Sequence, residues 1–255
     1  MSDPVRYERI GAAAVLTIDR QERRNAVDGP TAEHLRDGYR RFVDDDDARV
    51  LVLTGAGDVA FCAGADLKAI DTFGPRLGAP EGPLGFTRLT SPKPTIAAIS
   101  GWCLAGGFEL ALWCDLRIGA EGATLGFPER RWGVPLIDGG TQRLPRIVGL
   151  GRGLDLILSG RMVHSEEALG MGLLTEVVPP GRHLERALEY AEALAAFPQV
   201  TMLADRRAAI EGFGLPLEAG LAVEAKAGME AFGTAVEGAG RFAAGEGRGG
   251  AGAGV

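Results

Sequence analysis

The sequence has no apolar run approaching the roughly 18 residues that a membrane-spanning helix needs, and its opening stretch, Met1 to Gly11, lacks a basic segment followed by an apolar core. A secreted or membrane-embedded protein is therefore not expected, and a cytoplasmic one is. Cysteine is scarce: Cys62, Cys103 and Cys114 are odd in number, sit among apolar residues and show no Cys-x-x-Cys spacing. This excludes a disulfide framework or a zinc ribbon and fits small buried hydrophobes in a reducing compartment. The histidines His34, His164 and His183 are far apart in sequence. They suggest no histidine-based triad or metal cage, and each is expected on a surface or a helix. The GxSxG elbow, the GxxxxGK[ST] phosphate loop and the HExxH zinc helix are all missing. Positive charge is also short, with 27 Lys and Arg against 34 Asp and Glu and a net charge of -7. A nucleic-acid surface needs a basic face, so that partner class is excluded, whereas an anionic small molecule bound by a few local arginines is not.

Glycine, by contrast, is plentiful, with 39 residues, yet no short period accompanies it, so collagen and solenoid readings fail and the glycines belong to specific loops. The chain opens with two short strands, Val5 to Ile10 and Ala14 to Asp19, and a helix from Thr31 to Val43 with Thr31 as its cap. The acidic run Asp44 to Asp47 lacks the spacing of a cation loop and is expected to be a solvated helix end. Apolar runs at 49–55 and 95–101 read as strands buried on both faces, each followed by a glycine-rich loop. The second loop opens a helix, Phe108 to Cys114, and a strand at 115–118 follows it. Residues 71–94, rich in proline and glycine, are expected to form a mobile excursion with at most a short helix near Phe86 to Leu89. Beyond Thr141 the pattern is helical, with a short strand at 174–178 and long helices at about 181–196, 199–212 and 215–231. The Gly149-Leu150-Gly151-Arg152-Gly153 stretch reads as a turn between helices rather than a dinucleotide loop.

Two loops and three acids carry the chemistry. The loops Ala60 to Leu67 and Leu104 to Glu109 can both present bare backbone N–H groups, and a helix N-terminus built from small residues aims orphan donors and a positive dipole end at a ligand. The wording Phe61-Cys62-Ala63-Gly64-Ala65-Asp66-Leu67 and Gly106-Gly107-Phe108-Glu109-Leu110-Ala111 resembles the crotonase family of enoyl-CoA hydratases and isomerases. The resemblance also takes in Arg24-Asn25-Ala26, Phe127-Pro128-Glu129, Gly139 to Leu144 and Glu230 to Thr234, so it spans nearly the whole chain.

That resemblance implies an α/β fold, a crotonase-like spiral of repeated strand-strand-helix units over 1–194. It implies a helical C-terminal region over 195–243 that joins subunits into a trimer or a hexamer of two trimers. The glycine-rich segment 244–255 is expected to be a flexible tail. The resemblance places an oxyanion hole at the N–H groups of Ala65 and Gly106, and two acid/base carboxylates at Glu109 and Glu129. A pair of this kind suits hydration of an unsaturated thioester: one carboxylate deprotonates water while the other, protonated, supplies a proton to Cα. Phe108, Leu110, Phe127 and Trp132 are expected to raise the proton affinity of these carboxylates by desolvation.

An acyl-CoA thioester is then the substrate, without a separate cofactor, metal, nucleic acid or membrane partner. Its coenzyme A half is expected to lie along Arg24, Ala26, Ala63, Asp66, Leu67 and Lys68, with Arg23 nearby. Asp138, just before Gly139-Gly140-Thr141, resembles the acid of dienoyl-CoA isomerases and of a dehalogenating branch; a turn-capping role is the alternative. Hydration of a 2-enoyl-CoA is the expected reaction, with isomerisation through Asp138, or a non-catalytic acyl-CoA-binding role, as the alternatives.

Overall fold

A computed structural model describes residues 3–245, which fall into two compact units, one ending at Ala191 and the other beginning at Glu192. The first unit is the α/β part. Its hairpin β1 (Val5–Ile10) and β2 (Ala13–Ile18) leads through α1 (Gly29–Asp44) to β3 (Val50–Gly55) and β4 (Ala60–Cys62). A 3₁₀ segment, Leu67–Arg76, and the excursion beyond it precede β5 (Thr95–Ile99), β6 (Trp102–Leu104) and α2 (Gly106–Trp113). Next come β7 (Leu116–Ala120), β8 (Thr124–Gly126) and a 3₁₀ turn, Pro128–Trp132. The unit continues with α3 (Gly140–Val148), α4 (Leu150–Ser159), β9 (Met162–His164), α5 (Ser165–Gly170), β10 (Glu176–Val178) and the start of α6 (His183–Ala196).

The strands sort into a six-stranded sheet, β1-β2-β3-β5-β7-β10, and a four-stranded sheet, β4-β6-β8-β9. The three consecutive pairs β3/β4, β5/β6 and β7/β8 each place their first strand in the large sheet and their second in the small one. Each pair then leaves the sheets through a helical segment. The chain therefore coils, laying parallel neighbours beside one another at every pass. Because both faces are covered, β3 and β5 are buried along their whole length, as continuous apolar runs in parallel sheets require. Phe61, Phe108 and Phe127 fill the core at the ends of successive coils, with Phe108 and Phe127 in ring contact at 4.8 Å.

Several local expectations are corrected. Asp28, not Thr31, caps α1: its carboxylate accepts the Thr31 N–H at 2.9 Å, with Pro30 in the first turn. Residues 86–89 form turns rather than a helix. Leu84, Phe86 and Thr87 are fully buried, and Phe86 stacks between Tyr39 and Trp113 at 5.2 and 4.5 Å, so this part of the excursion is anchored in the core. His183, expected on a surface or a helix, is the first residue of α6 and is buried.

Arg117 is a buried cation that donates to the carbonyls of Ala111, Cys114, Asp115 and Leu173. It thereby satisfies the C-terminal end of α2 and locks the helix whose other end faces the cavity described below.

In the second unit α7 (Gln199–Gly212) packs on α8 (Leu217–Ala243) through Ala204, Ala208, Ala227 and Ala231, with Arg207 paired to Glu230. Helix α8 runs 12 residues past the expected end at 231, because its alanines and glycines carry no strong apolar period. Of the expected tail, residues 246–255 lie outside the described residues. No helix among the described residues is long and apolar enough to cross a membrane.

Candidate active site

A cavity of about 510 Å³ opens where the three coils leave the sheets. Its wall is largely apolar, with Leu67, Ile70, Phe73, Leu84, Val134 and Leu136 among its residues; four carboxylates, Asp71, Glu109, Glu129 and Asp138, and the Trp132 indole are its polar side-chain groups among the described residues.

The first coil brings Ala63, Ala65 and Leu67 to the cavity. Their loop is fixed by short backbone bonds, from Val27 N to Gly64 O at 2.8 Å and from Asp66 N to Val27 O at 2.7 Å. Gly64, at φ +95°, lies so close to the second loop that an added Cβ would stand 2.9 Å from Gly106 N. Only glycine permits both that dihedral and that approach. Ala105, just before α2, holds φ 52° and ψ -128°, a conformation costly for a residue with a Cβ. The kink aims the first turn of α2 into the cavity. Neither Ala65 N nor Gly106 N donates to a protein acceptor among the described residues, so two amides and a helix N-terminus face the same space.

Glu109 sits in the first turn of α2 and is 3% exposed. Its Oε1 accepts the N–H groups of Asp138 at 3.0 Å and Gly140 at 2.7 Å. A Cβ on Gly140 would stand 2.9 Å from Phe127 Cζ and 3.0 Å from that oxygen, so a larger residue would push on the Glu109 carboxyl or on the ring beside it. Burial pushes the Glu109 carboxyl up to about 8 despite these two donors, with Asp138 and Glu129 adding repulsion. Glu129, in the turn after β8, is buried with no hydrogen-bond partner for either oxygen, and desolvation raises it to about 7. Asp138 is buried and also raised, mainly by desolvation. Its side chain does not cap its own turn. Oδ1 instead accepts the Leu84 N–H at 3.1 Å and the Thr87 hydroxyl across the chain.

Of the residues singled out in the sequence, Ala63, Ala65, Leu67, Gly106, Glu109, Glu129 and Asp138 therefore share one cavity. Arg24, Ala26, Asp66 and Lys68 do not line it. Arg24 and Lys68 are exposed near its first loop, Arg24 in a left-handed conformation. Asp66 pairs with Arg20 at 3.2 Å and caps the Lys68 N–H, while the Ala26 carbonyl accepts from Arg20. Phe108, Leu110 and Phe127 are buried as expected, but Trp132 is 74% exposed at the cavity edge and contributes little desolvation.

Sequence reading missed Asn25, whose buried amide holds the carbonyls of Ala56 and Ala60 and so shapes the first loop. It also missed Thr87 and Arg143. Asn25 and Arg143 lie inside stretches that carry the resemblance, yet nothing there gives them a role, because the partners through which Asn25, Thr87 and Arg143 tie distant segments lie some 30 to 56 residues away.

Holding unpartnered carboxyls in an apolar cavity costs stability once they ionise. The sign follows from the upward shift: a carboxyl whose folded-state affinity is raised favours the folded state at low pH, and that contribution fades as pH rises from about 4.5 through about 7 for Glu129. Glu129→Gln removes the penalty. It is expected to stabilise the protein by on the order of 2 to 3 kcal/mol above pH 8 and by much less at pH 5, as read by urea denaturation at both pH values. Equal effects at the two would show that Glu129 titrates normally.

The sequence model of the enoyl-CoA hydratase/isomerase family matches residues 8–244. A short-chain-enoyl-CoA hydratase of Clostridium acetobutylicum is 35% identical over 89% of this chain and 88% of its own. An (E)-benzylidenesuccinyl-CoA hydratase of Thauera aromatica is 36% identical over 86% of each. Among solved structures, an enoyl-CoA hydratase from Mycobacterium marinum superposes with a TM-score of 0.89 at 34% identity, covering 95% of this chain and 96% of that one.

Proposed function

The chain belongs to the enoyl-CoA hydratase/isomerase family, and from that premise we propose that it catalyses the reversible addition of water to a 2-enoyl-CoA, giving the 3-hydroxyacyl-CoA. The observation that carries this reading is the meeting of two unbonded backbone amides and two carboxyls of raised proton affinity on one apolar cavity.

In this mechanism the thioester oxygen accepts hydrogen bonds from Ala65 N and Gly106 N. The ionised member of the Glu109/Glu129 pair takes a proton from water as its oxygen bonds to C3. The C2=C3 electrons move toward the thioester, whose enolate oxygen is stabilised by the two amides. The protonated member then delivers its proton to C2. Burial raises both carboxyls, Glu109 to about 8 and Glu129 to about 7, so between those values the pair carries about one proton, the state that the scheme uses. The test is loss of the conjugated-thioester absorbance when crotonyl-CoA is added; no change at any pH between 6 and 9 would sink the hydratase reading.

The wall also bears on the acyl group. Among the described residues it offers acids, apolar surface and the Trp132 indole at its edge but no cationic side chain, so an acyl tail ending in a carboxylate would be desolvated beside like charges. A 2-enoyl-CoA with such a tail is expected to be turned over with kcat/KM at least roughly 10²-fold below that of an uncharged chain of equal length. Parity between the two would contradict the charge filter.

A second reading is favoured by the third carboxyl on the cavity. Asp138 has a raised proton affinity and suits proton movement along a longer acyl chain, as in isomerisation of a 3-enoyl-CoA. Assay with that substrate decides whether the activity exists. As for assembly, a homotrimer or a dimer of trimers is proposed, supported by the exposed apolar side chains Phe213, Leu217, Leu221, Met229, Phe232 and Val236 in the helical unit. Light scattering should give a mass that is a multiple of three chains; a stable, active monomer would remove the proposal.

A further inference from the structure

Asp138 makes two kinds of contact at once. Its backbone N–H is one of the two donors to Glu109 Oε1, at 3.0 Å. Its side chain reaches the opposite way and accepts from Leu84 N, at 3.1 Å, and from the Thr87 hydroxyl. Arg143 closes the figure: one guanidinium nitrogen donates to the Asp138 carbonyl at 2.8 Å and another to the Thr87 carbonyl at 2.5 Å. Leu84, held in this way, packs where a Cβ on Gly106 would stand, only 2.9 Å from its Cδ1. The buried seam between the excursion and the 138–140 loop thus touches both the carboxyl of Glu109 and the surroundings of the Gly106 amide.

We infer that Asp138, Thr87 and Arg143 form a positioning tie that fixes Glu109 and the Leu84 wall, so that in hydration Asp138 acts through Glu109 and not as a third acid or base. The inference rests on the reading of Glu109 as an acid/base group. Its physical basis is the economy of donors. Glu109 Oε1 and Asp138 Oδ1 each accept two hydrogen bonds inside the protein, but the donors to Asp138, Leu84 N and the Thr87 hydroxyl, come from the excursion and join it to the loop that holds Glu109. Cutting the Asp138 side chain free of them relaxes the residue whose own N–H bonds Glu109.

The test uses the full-length protein with Thr87→Val, which deletes the hydroxyl at nearly constant volume, with Thr87→Ser, which restores it, and with Thr87→Val combined with Asp138→Asn. Thr87→Val is expected to lower kcat for crotonyl-CoA about tenfold with KM changed less than about threefold. It should also move upward the limb of the pH profile that belongs to Glu109, because weaker amide donors favour the protonated form. The charged groups facing Glu109, namely Asp138, Glu129 and Arg143, are all still present in that variant. Thr87→Ser should recover both values, and the double variant should be no worse than Asp138→Asn alone, since both cut one tie.

Amide hydrogen exchange at Leu84, Asp138 and Gly140 should quicken together in Thr87→Val, and this readout needs no substrate. If the wild type hydrates no enoyl-CoA, the functional reading fails and the exchange data still decide the tie. A Thr87→Val protein with an unmoved pH limb and unchanged exchange overturns the inference, as do fully additive losses in the double variant. If the valine variant does not fold, Thr87→Ala carries the same expectations.

Discussion

Glu109→Gln and Glu129→Gln are each expected to lower crotonyl-CoA hydration by roughly two to four orders of magnitude, the contribution typical of a positioned acid or base. The substitutions are mild in every other respect. A glutamine carbonyl at 109 can still accept the N–H groups of Asp138 and Gly140, which in the native protein are 3.0 and 2.7 Å from Oε1. At 129 no protein hydrogen bond is lost, because neither oxygen has one. The fold and the cavity should therefore survive, and a saturated analogue such as butyryl-CoA should bind within a few-fold of the native affinity by calorimetry. Loss of turnover in Glu129→Gln should come with the gain in alkaline stability derived above, and that opposition of signs separates a chemical defect from a folding one. A variant retaining the native rate would take its residue out of the mechanism.

Gly106→Pro is expected to cost about 3 to 4 kcal/mol in transition-state stabilisation, or roughly 10²- to 10³-fold in kcat, the usual price of one oxyanion donor. Gly106 is the first residue of α2, where an N–H has no intrahelical partner and the proline ring's φ suits the helix, but the added Cβ would stand 2.9 Å from Leu84 Cδ1, so that side chain must shift. The preceding Ala105, at ψ -128°, is already outside the helical region that a following proline forbids. What disappears is the amide hydrogen. The matched control is Ala65→Gly, which keeps its N–H and should stay within a few-fold of the native rate. If the control lost activity while Gly106→Pro kept it, backbone donation at these positions would be refuted. Circular dichroism and a denaturation curve identify any helix damage.

Much of the architecture was legible because it is written in local patterns. The apolar runs at 49–55 and 95–101 have the composition of doubly covered strands, and both are strands buried at every position. The α7 boundaries, 199–212, are marked by Pro198 and by the glycine at 212. The residues of the cavity were legible through two short glycine loops and a Pro-Glu pair, since backbone donors require small neighbours and leave a readable trace. The excursion was misread for the opposite reason. Its prolines and glycines signal irregular backbone truthfully, but irregular is not mobile, and the groups that pin it, Tyr39, Trp113 and Asp138, lie far away in sequence. The cap of α1 was misread by three residues because aspartate and threonine both suit that role. Arg117 left no sign either: a lone arginine in a strand reads as surface until the four carbonyls around it are in place.

The coiled course of the chain divides labour among its turns. The first coil delivers one amide, at Ala65; the second delivers the other amide and Glu109; the third delivers Glu129. Strand pairing sets the spacing of these parts, so it is inherited from the sheets rather than from the loops themselves. The cavity wall comes about equally from the insert between the first and second coils, residues 67–84, which adds no strand to either sheet, and from residues 128–138 after the third coil. The insert is therefore divided in its reach. Residues 67–77 touch the cavity without bonding the carboxyls, whereas Leu84 and Thr87 hold Asp138, whose N–H bonds Glu109. On the proposed function, drift in the first stretch can alter the acyl group that fits while the strand register stays fixed, and drift in the second reaches the chemistry.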